Sequence, residues 1–169
     1  MDLTGKLLVA LPVLAESVFE RTVILVLTHG DGEGAVGVVL NRPSATALVG
    51  PLPRWESLAA QPAVVFYGGP VQPEVAIALG IDGDSLGTVD LDEDPALVPV
   101  REVRVFAGYA GWAPGQLENE LAERSWVIVD SEADDAFRAD ADDLWYTVLR
   151  RQPEPLRRLA FLPQDLSIN

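Results

Sequence analysis

Cysteine is absent from this sequence and histidine occurs once, as His29. The first absence excludes disulfide frameworks, zinc–thiolate sites, iron–sulfur clusters and thiol nucleophiles. The second excludes a metal site built on two or three imidazoles of one chain. Positive charge is scarce too: 12 Lys and Arg stand against 26 Asp and Glu, a formal net charge of −14. Gripping a nucleic acid takes cations that displace condensed counterions, so a body this acidic needs a segregated basic face. The cations are scattered instead. Residues 1–80 hold four (Lys6, Arg21, Arg42, Arg54), and residues 81–100 hold none against six acids. The adjacent pairs Arg150-Arg151 and Arg157-Arg158 fall at and just beyond the end of an expected helix, where they complement its dipole. Neither direct nucleic-acid binding nor an anionic membrane surface is expected. Long apolar runs are missing as well: none approaches the ~18 residues that cross a bilayer as a helix.

What is there suits a folded protein. A hydrophobic fraction of 49% over 169 residues excludes intrinsic disorder and fits one domain spanning 1–169. Leu7–Ala15 has the length of a signal-peptide core and follows Lys6. Asp2 cancels that charge and Pro12 interrupts the run, so a buried first strand accounts for the same residues, and a cytoplasmic protein is expected.

Short β-branched runs bounded by turn residues mark strands at Lys6–Leu11, Thr22–Thr28, Ala35–Leu40, Ala63–Tyr67, Val75–Ile81 and Val103–Tyr109. Thr22–Thr28 is apolar at every interior position, which predicts burial on both faces. Residues 44–61 read as irregular, with a short helix around Trp55–Ala60, and an acidic loop follows Ile81. Pro114 fits the first turn of a helix running to about Arg124, with Leu117 and Leu121 on one face and Glu120 placed to pair with Arg124. Ser125–Asp130 reads as a strand. Asp142–Arg151 reads as a helix, acidic at its start, with Leu144, Trp145, Val148 and Leu149 on one stripe. Strands first and interleaved helices later predict an α+β fold with a mixed sheet.

Few motifs carry chemistry. Gly83-Asp84-Ser85-Leu86-Gly87 matches the hydrolase nucleophile elbow, and its first letters spell a second esterase signature. No helix follows the serine, His29 lies upstream, and no downstream Asp-x-x-His exists, so the stretch reads as a turn. Asp82, Asp84, Asp90 and Glu93 fall at calcium-loop spacings, but Leu86 supplies no oxygen at the fifth position and no helix flanks the loop. A solvated acidic loop is the reading, and neither a metal nor another cofactor is expected. His29 ends a strand beside Asp31 and Glu33, the only evident carboxylates to orient it. Gly108-Tyr109-Ala110-Gly111-Trp112 with Gln116 would join a strand to a helix through glycines whose N–H groups could face an anion. A tight turn with Tyr109 and Trp112 packed as core explains the same residues. Gly68-Gly69-Pro70 offers the same pair of readings.

Taken in order, Leu3–Ala10 with Pro12, Phe19–Val23, Gly37–Pro43, Tyr67–Gln72, Gly108–Trp112 with Gly115–Glu118, and Asp143–Trp145 resemble the AlgH/YqgE-like family of bacterial proteins over nearly the whole chain. After Gln72 the chain departs from the family's pattern with Pro73-Glu74-Val75-Ala76, and the acidic Asp82–Asp94 stretch is its own. The resemblance implies a cytoplasmic α+β domain with a bifurcated, partly barrel-like sheet surrounded by helices. It implies no established reaction and no catalytic residues. Some members are labelled transcriptional regulators through a genetic association with alginate production. Two functions follow as expectations. One is a non-enzymatic regulatory domain acting on a protein partner. The other is a small-anion or nucleotide site, with or without catalysis, in which Asn41, Arg42, Gly68, Gly69, Gly108, Tyr109, Gly111, Trp112 and Gln116 converge on one cleft and Arg42 clamps the anion.

Overall fold

The computed structural model describes residues 1–161. Residues 162–169, which the single-domain reading includes, lie outside the described residues. Leu7–Ala10 (β1), Val23–His29 (β2) and Ala35–Val39 (β3) are the apolar runs expected to be strands. β1 and the first four residues of β2 are buried throughout, as their unbroken hydrophobicity predicts. Pro43–Ala47 (β4), Val64–Tyr67 (β5), Val71–Asp82 (β6), Ser85–Val89 (β7), Glu102–Trp112 (β8) and Trp126–Val129 (β9) complete the sheet. Two short helices, Gln116–Ala122 (α1) and Leu144–Arg150 (α2), pack against it.

Several local expectations need correction. Residues 44–47, expected to be irregular, belong to the exposed edge strand β4, which Pro43 starts, so that no donor is lost from its interior. The helix expected at Trp55–Ala60 is a 3₁₀ segment over Pro53–Leu58. The expected acidic loop is a hairpin: Asp82 pairs with Ser85 across a turn in which Gly83 takes φ +61°. β6 starts four residues earlier than its hydrophobicity indicates, because a bulge at residues 72–75 carries Gln72 and Pro73 inside the strand. β8 continues to Trp112, so the glycine segment is strand rather than turn. The first helix starts only at Gln116, after Gly115 in the left-handed conformation.

The strands run in the order β4-β5-β8-β3-β2-β1-β9, with the β6–β7 hairpin branching from β8. Pairing is antiparallel except between β5 and β8, so the sheet is mixed as expected. β8 is the fork. Its first part, around Phe106 and Ala107, lies between β5 and β6. Its last part, Ala110–Trp112, pairs with β3 instead.

Alternation along β1 and β2 supplies two cores. Leu7, Val9, Val23 and Leu25 face one that α2 covers with Leu144, Trp145, Val148 and Leu149. Leu8, Ala10, Ile24 and Val26 face the other, which holds Leu117 and Leu121 of α1 with Trp112 and Trp126. A third cluster lies around Trp55, Ala78, Val103 and Val105. No helix among the described residues is long and apolar enough to cross a membrane.

Candidate functional site

Three of the family motifs, Gly37–Pro43, Tyr67–Gln72 and Gly108–Trp112, meet at the fork. There β5 ends and yields its place beside β8 to β3: the Gly68 amide donates to the Ala107 carbonyl, and the Gly68 carbonyl accepts from the Val39 amide, both at 2.8 Å. Two backbones approach closer than side chains allow. A Cβ on Gly68 would lie 2.3 Å from the Gly108 oxygen, and one on Gly69 would lie 2.2 Å from the Tyr109 carbonyl. On Gly108 it would lie 2.4 Å from the Gly69 oxygen, and that residue takes φ +75°. The glycines at these three positions make the branching possible, which is a packing reason for the motif.

Asn41 and Arg42 sit beside the fork and hold the 18–23 segment. Asn41 Oδ1 accepts from the Val23 amide at 3.0 Å, and its Nδ2 donates to the Arg21 carbonyl at 2.9 Å. Arg42 donates through one terminal nitrogen to the Val18 carbonyl and through the other to the Glu20 carbonyl at 2.9 Å. Burial lowers the Arg42 pKa, with the charge of Glu20 acting against it. Both forks of the guanidinium therefore face this chain's own backbone. A cleft of about 180 Å³ lies there, lined by Val18, Phe19, Val39, Arg42, Tyr67, Gly69 and Pro70.

Convergence of the expected site residues is thus partial. Asn41, Arg42, Gly68, Gly69, Gly108 and Tyr109 gather at the fork, where Tyr109 Oη donates to Gln72 Oε1 at 3.2 Å. Gly111, Trp112 and Gln116 belong to the far end of β8 and the start of α1. Trp112 is 6% exposed, packed as core as the tight-turn reading had it. Its indole N–H donates to Glu120 Oε1 at 3.0 Å, the indole of Trp126 donates to the same oxygen at 2.9 Å, and Gln116 donates to Oε2. Glu120 therefore serves two tryptophans and not Arg124, which follows the helix with φ +60°. The exposed aromatic of the region is Tyr67.

His29 is buried and fully engaged. Its Nδ1 accepts from the Leu3 amide at 3.1 Å, and its Nε2 lies 3.0 Å from Glu118 Oε1. An accepting Nδ1 assigns the ring proton to Nε2, so the ring donates to Glu118 and leaves no free nitrogen to act as a base. The orienting carboxylate is Glu118, not Asp31 or Glu33; Asp31 pairs with the N-terminal ammonium. A separation of 89 residues gave no local signal for the His29–Glu118 pair.

Arg104 escaped sequence reasoning altogether. Its side chain is buried with its charge, yet it donates only to carbonyls: Nη1 to Ala136 at 3.2 Å and Arg138 at 3.0 Å, Nη2 to Gln61 at 2.6 Å. The guanidinium lies 4.2 Å over the Phe66 ring, and its Nε has no partner. Burial pushes its pKa down to about 10. The available signal was an arginine between Val103 and Val105 in a strand otherwise apolar at those positions. Arg151, at the C-terminal cap of α2 where it was expected to complement the dipole, also forks onto Asp135 at 2.8 and 2.9 Å, which raises its pKa.

The calcium-loop spacing does not survive folding. Asp82 and Asp84 lie at the hairpin tip, whereas Asp90 and Glu93 follow the opposite end of β7, about 15 Å away at the usual strand rise. Among the described residues no group of three acidic or imidazole side chains could hold a metal ion. Ser85 opens β7 directly after the tight turn and has no helix behind it. Asp84 and Ser85 form no dyad with the engaged His29.

Comparison with known proteins follows the same pattern. The family model described as AlgH-like matches residues 7–157. A UPF0301 protein of Streptomyces avermitilis is 44% identical over 99% of this chain and 96% of its own. One of Mycobacterium tuberculosis is 44% identical over 98% and 90%. Among solved structures, a Corynebacterium diphtheriae protein superposes with a TM-score of 0.89 at 29% identity, covering 96% of this chain and 93% of its own. The AlgH protein of Pseudomonas aeruginosa gives 0.71 at 27% identity, covering 98% and 96%. The chain belongs to the AlgH-like family.

Proposed function

We propose that this protein is a non-enzymatic regulatory domain of the cytoplasm that works through contacts with another protein rather than by binding nucleic acid. One observation carries the reading. The polar side chains best placed for chemistry are already committed within the chain: Asn41 and Arg42 of the family motifs to the 18–23 backbone, and the lone histidine, His29, to Leu3 and Glu118. A site built for turnover leaves its acid, base or nucleophile free to meet substrate. The charge of −14 supports the negative clause, since a polyanion is repelled.

A small-anion or nucleotide site at the fork has less support. Arg42 spends its donors on carbonyls, and the cleft of about 180 Å³ is smaller than the roughly 300–1,000 Å³ of ordinary ligand pockets. Crosslinking and pull-down with the full chain test the proposal. A partner recovered in near-equal amounts supports it, and the absence of any stoichiometric partner overturns it. Tight, salt-sensitive binding of duplex DNA overturns its negative clause.

A further inference from the structure

The larger core is not sealed. Between β2 and the β6–β7 hairpin runs an apolar trough of about 630 Å³, walled by Leu25 and Leu27 on one side and by Ile77, Leu79 and Leu86 on the other. A second hollow of about 330 Å³ continues it past Gly5 and Leu86 to Asp84, Ser131 and Glu132. Leu86 and Thr88 of β7, alternate residues on the face that also carries Ile77 and Leu79, line the trough with the side-chain-less Gly87 between them. β7 pairs only with β6, and among the described residues no other backbone hydrogen bond reaches Ser85–Val89. A free edge with an apolar channel beside it is the arrangement that accepts an added strand.

Charge selects the occupant. Residues 71–94 carry seven acids and no Lys or Arg, and among the described residues none of these acids enters an ion pair. A second copy of the chain would bring an equally acidic hairpin and a charge of −14 against this one. We infer that the trough binds an extended segment of a basic partner protein, which adds as a strand to the free edge of β7. Its apolar side chains, at alternate positions, enter between Leu25, Leu27 and Ile77. A lysine or arginine at its end reaches Asp84. The inference rests on the protein-contact reading above and names where and what such a partner binds.

The test uses the full chain and labelled synthetic peptides that alternate valine and threonine, ended either by lysines or by glutamates. The lysine peptide binds about tenfold tighter than the glutamate peptide, and less so at high salt. N-methylation at alternate peptide nitrogens abolishes binding, because it removes the main-chain donors of an added strand. Asp84→Lys, at an exposed turn, leaves the melting temperature unchanged and weakens the lysine peptide about tenfold. Amide resonances of Ser85–Val89 and Leu25–Thr28 shift on titration. Equal binding of both peptides, shifts mapping elsewhere, or dimerisation through β7 without peptide overturns the inference. A stoichiometric partner indifferent to Asp84→Lys overturns this site and leaves the protein-contact reading standing. Neither partner nor peptide binding overturns both.

Discussion

Substituting Asn41 separates the two accounts of the Gly37–Pro43 motif. In Asn41→Ala the buried Val23 amide loses its side-chain acceptor and the Arg21 carbonyl loses its donor. Two hydrogen bonds at about 1 kcal/mol each, plus a penalty of about 1 kcal/mol for the amide left unsatisfied in a residue with no exposure, give a loss of about 3 kcal/mol. Asn41→Asp keeps the acceptor for Val23 and removes only the donor, so it loses about 1 kcal/mol. Urea unfolding at 25 °C, followed by tryptophan fluorescence, measures both, with unchanged slopes reporting a two-state transition. The Val23 amide also exchanges faster with solvent in the alanine variant than in the parent. If Asn41→Ala shifts stability by less than about 0.5 kcal/mol, the latch is not what the residue is for, and a ligand role at the fork regains its standing.

Three further outcomes follow from geometry already described. Gly69→Ala places a methyl 2.2 Å from the Tyr109 carbonyl and costs about 3 kcal/mol by calorimetry; a neutral result would mean that the fork can open at little cost. Glu120→Leu strands two buried indole N–H groups and costs about 2–3 kcal/mol, with a shift in tryptophan emission that a change at the surface would not cause. Acid lowers stability through Asp2, Asp31, Asp130 and Asp140. Each carboxyl is held below its usual 3.8, mainly by hydrogen bonds from Thr4, the N-terminal ammonium, Lys6 and Arg138 respectively. The unfolded chain therefore takes up protons first, so this stabilisation is complete above 3.8 and is lost as the pH falls through the lower folded values. Urea midpoints that stay level from pH 6 down to 3 would contradict it.

Periodicity made the strands of the first core and the stripe of α2 legible, since Leu144, Trp145, Val148 and Leu149 are apolar because they are buried. The exposed hairpin and the edge strand were not. β4 and β7 have few buried residues, so their sequences carry loop chemistry while their pairing is set by β5 and β6. The glycines of the fork were visible, but their reason was not, because a close approach between residues 69 and 109 is a fact of tertiary structure. Arg42 and Glu120 show the same limit: a sequence displays a charged side chain, and only the fold says that it donates to a carbonyl or accepts from an indole.

The double membership of β8 bears on how the polypeptide can be divided. Neither branch of the sheet is finished until residues 102–112 are in place, and β1 waits for Trp126–Val129 to cover its far edge. A nascent chain leaving the ribosome therefore exposes β3, β5 and β6 without their common neighbour until residues 102–112 have followed them. Fragments cut between residues 90 and 100 should not assemble as autonomous modules, and a split-protein reporter made there will report reassociation only if the two pieces fold together.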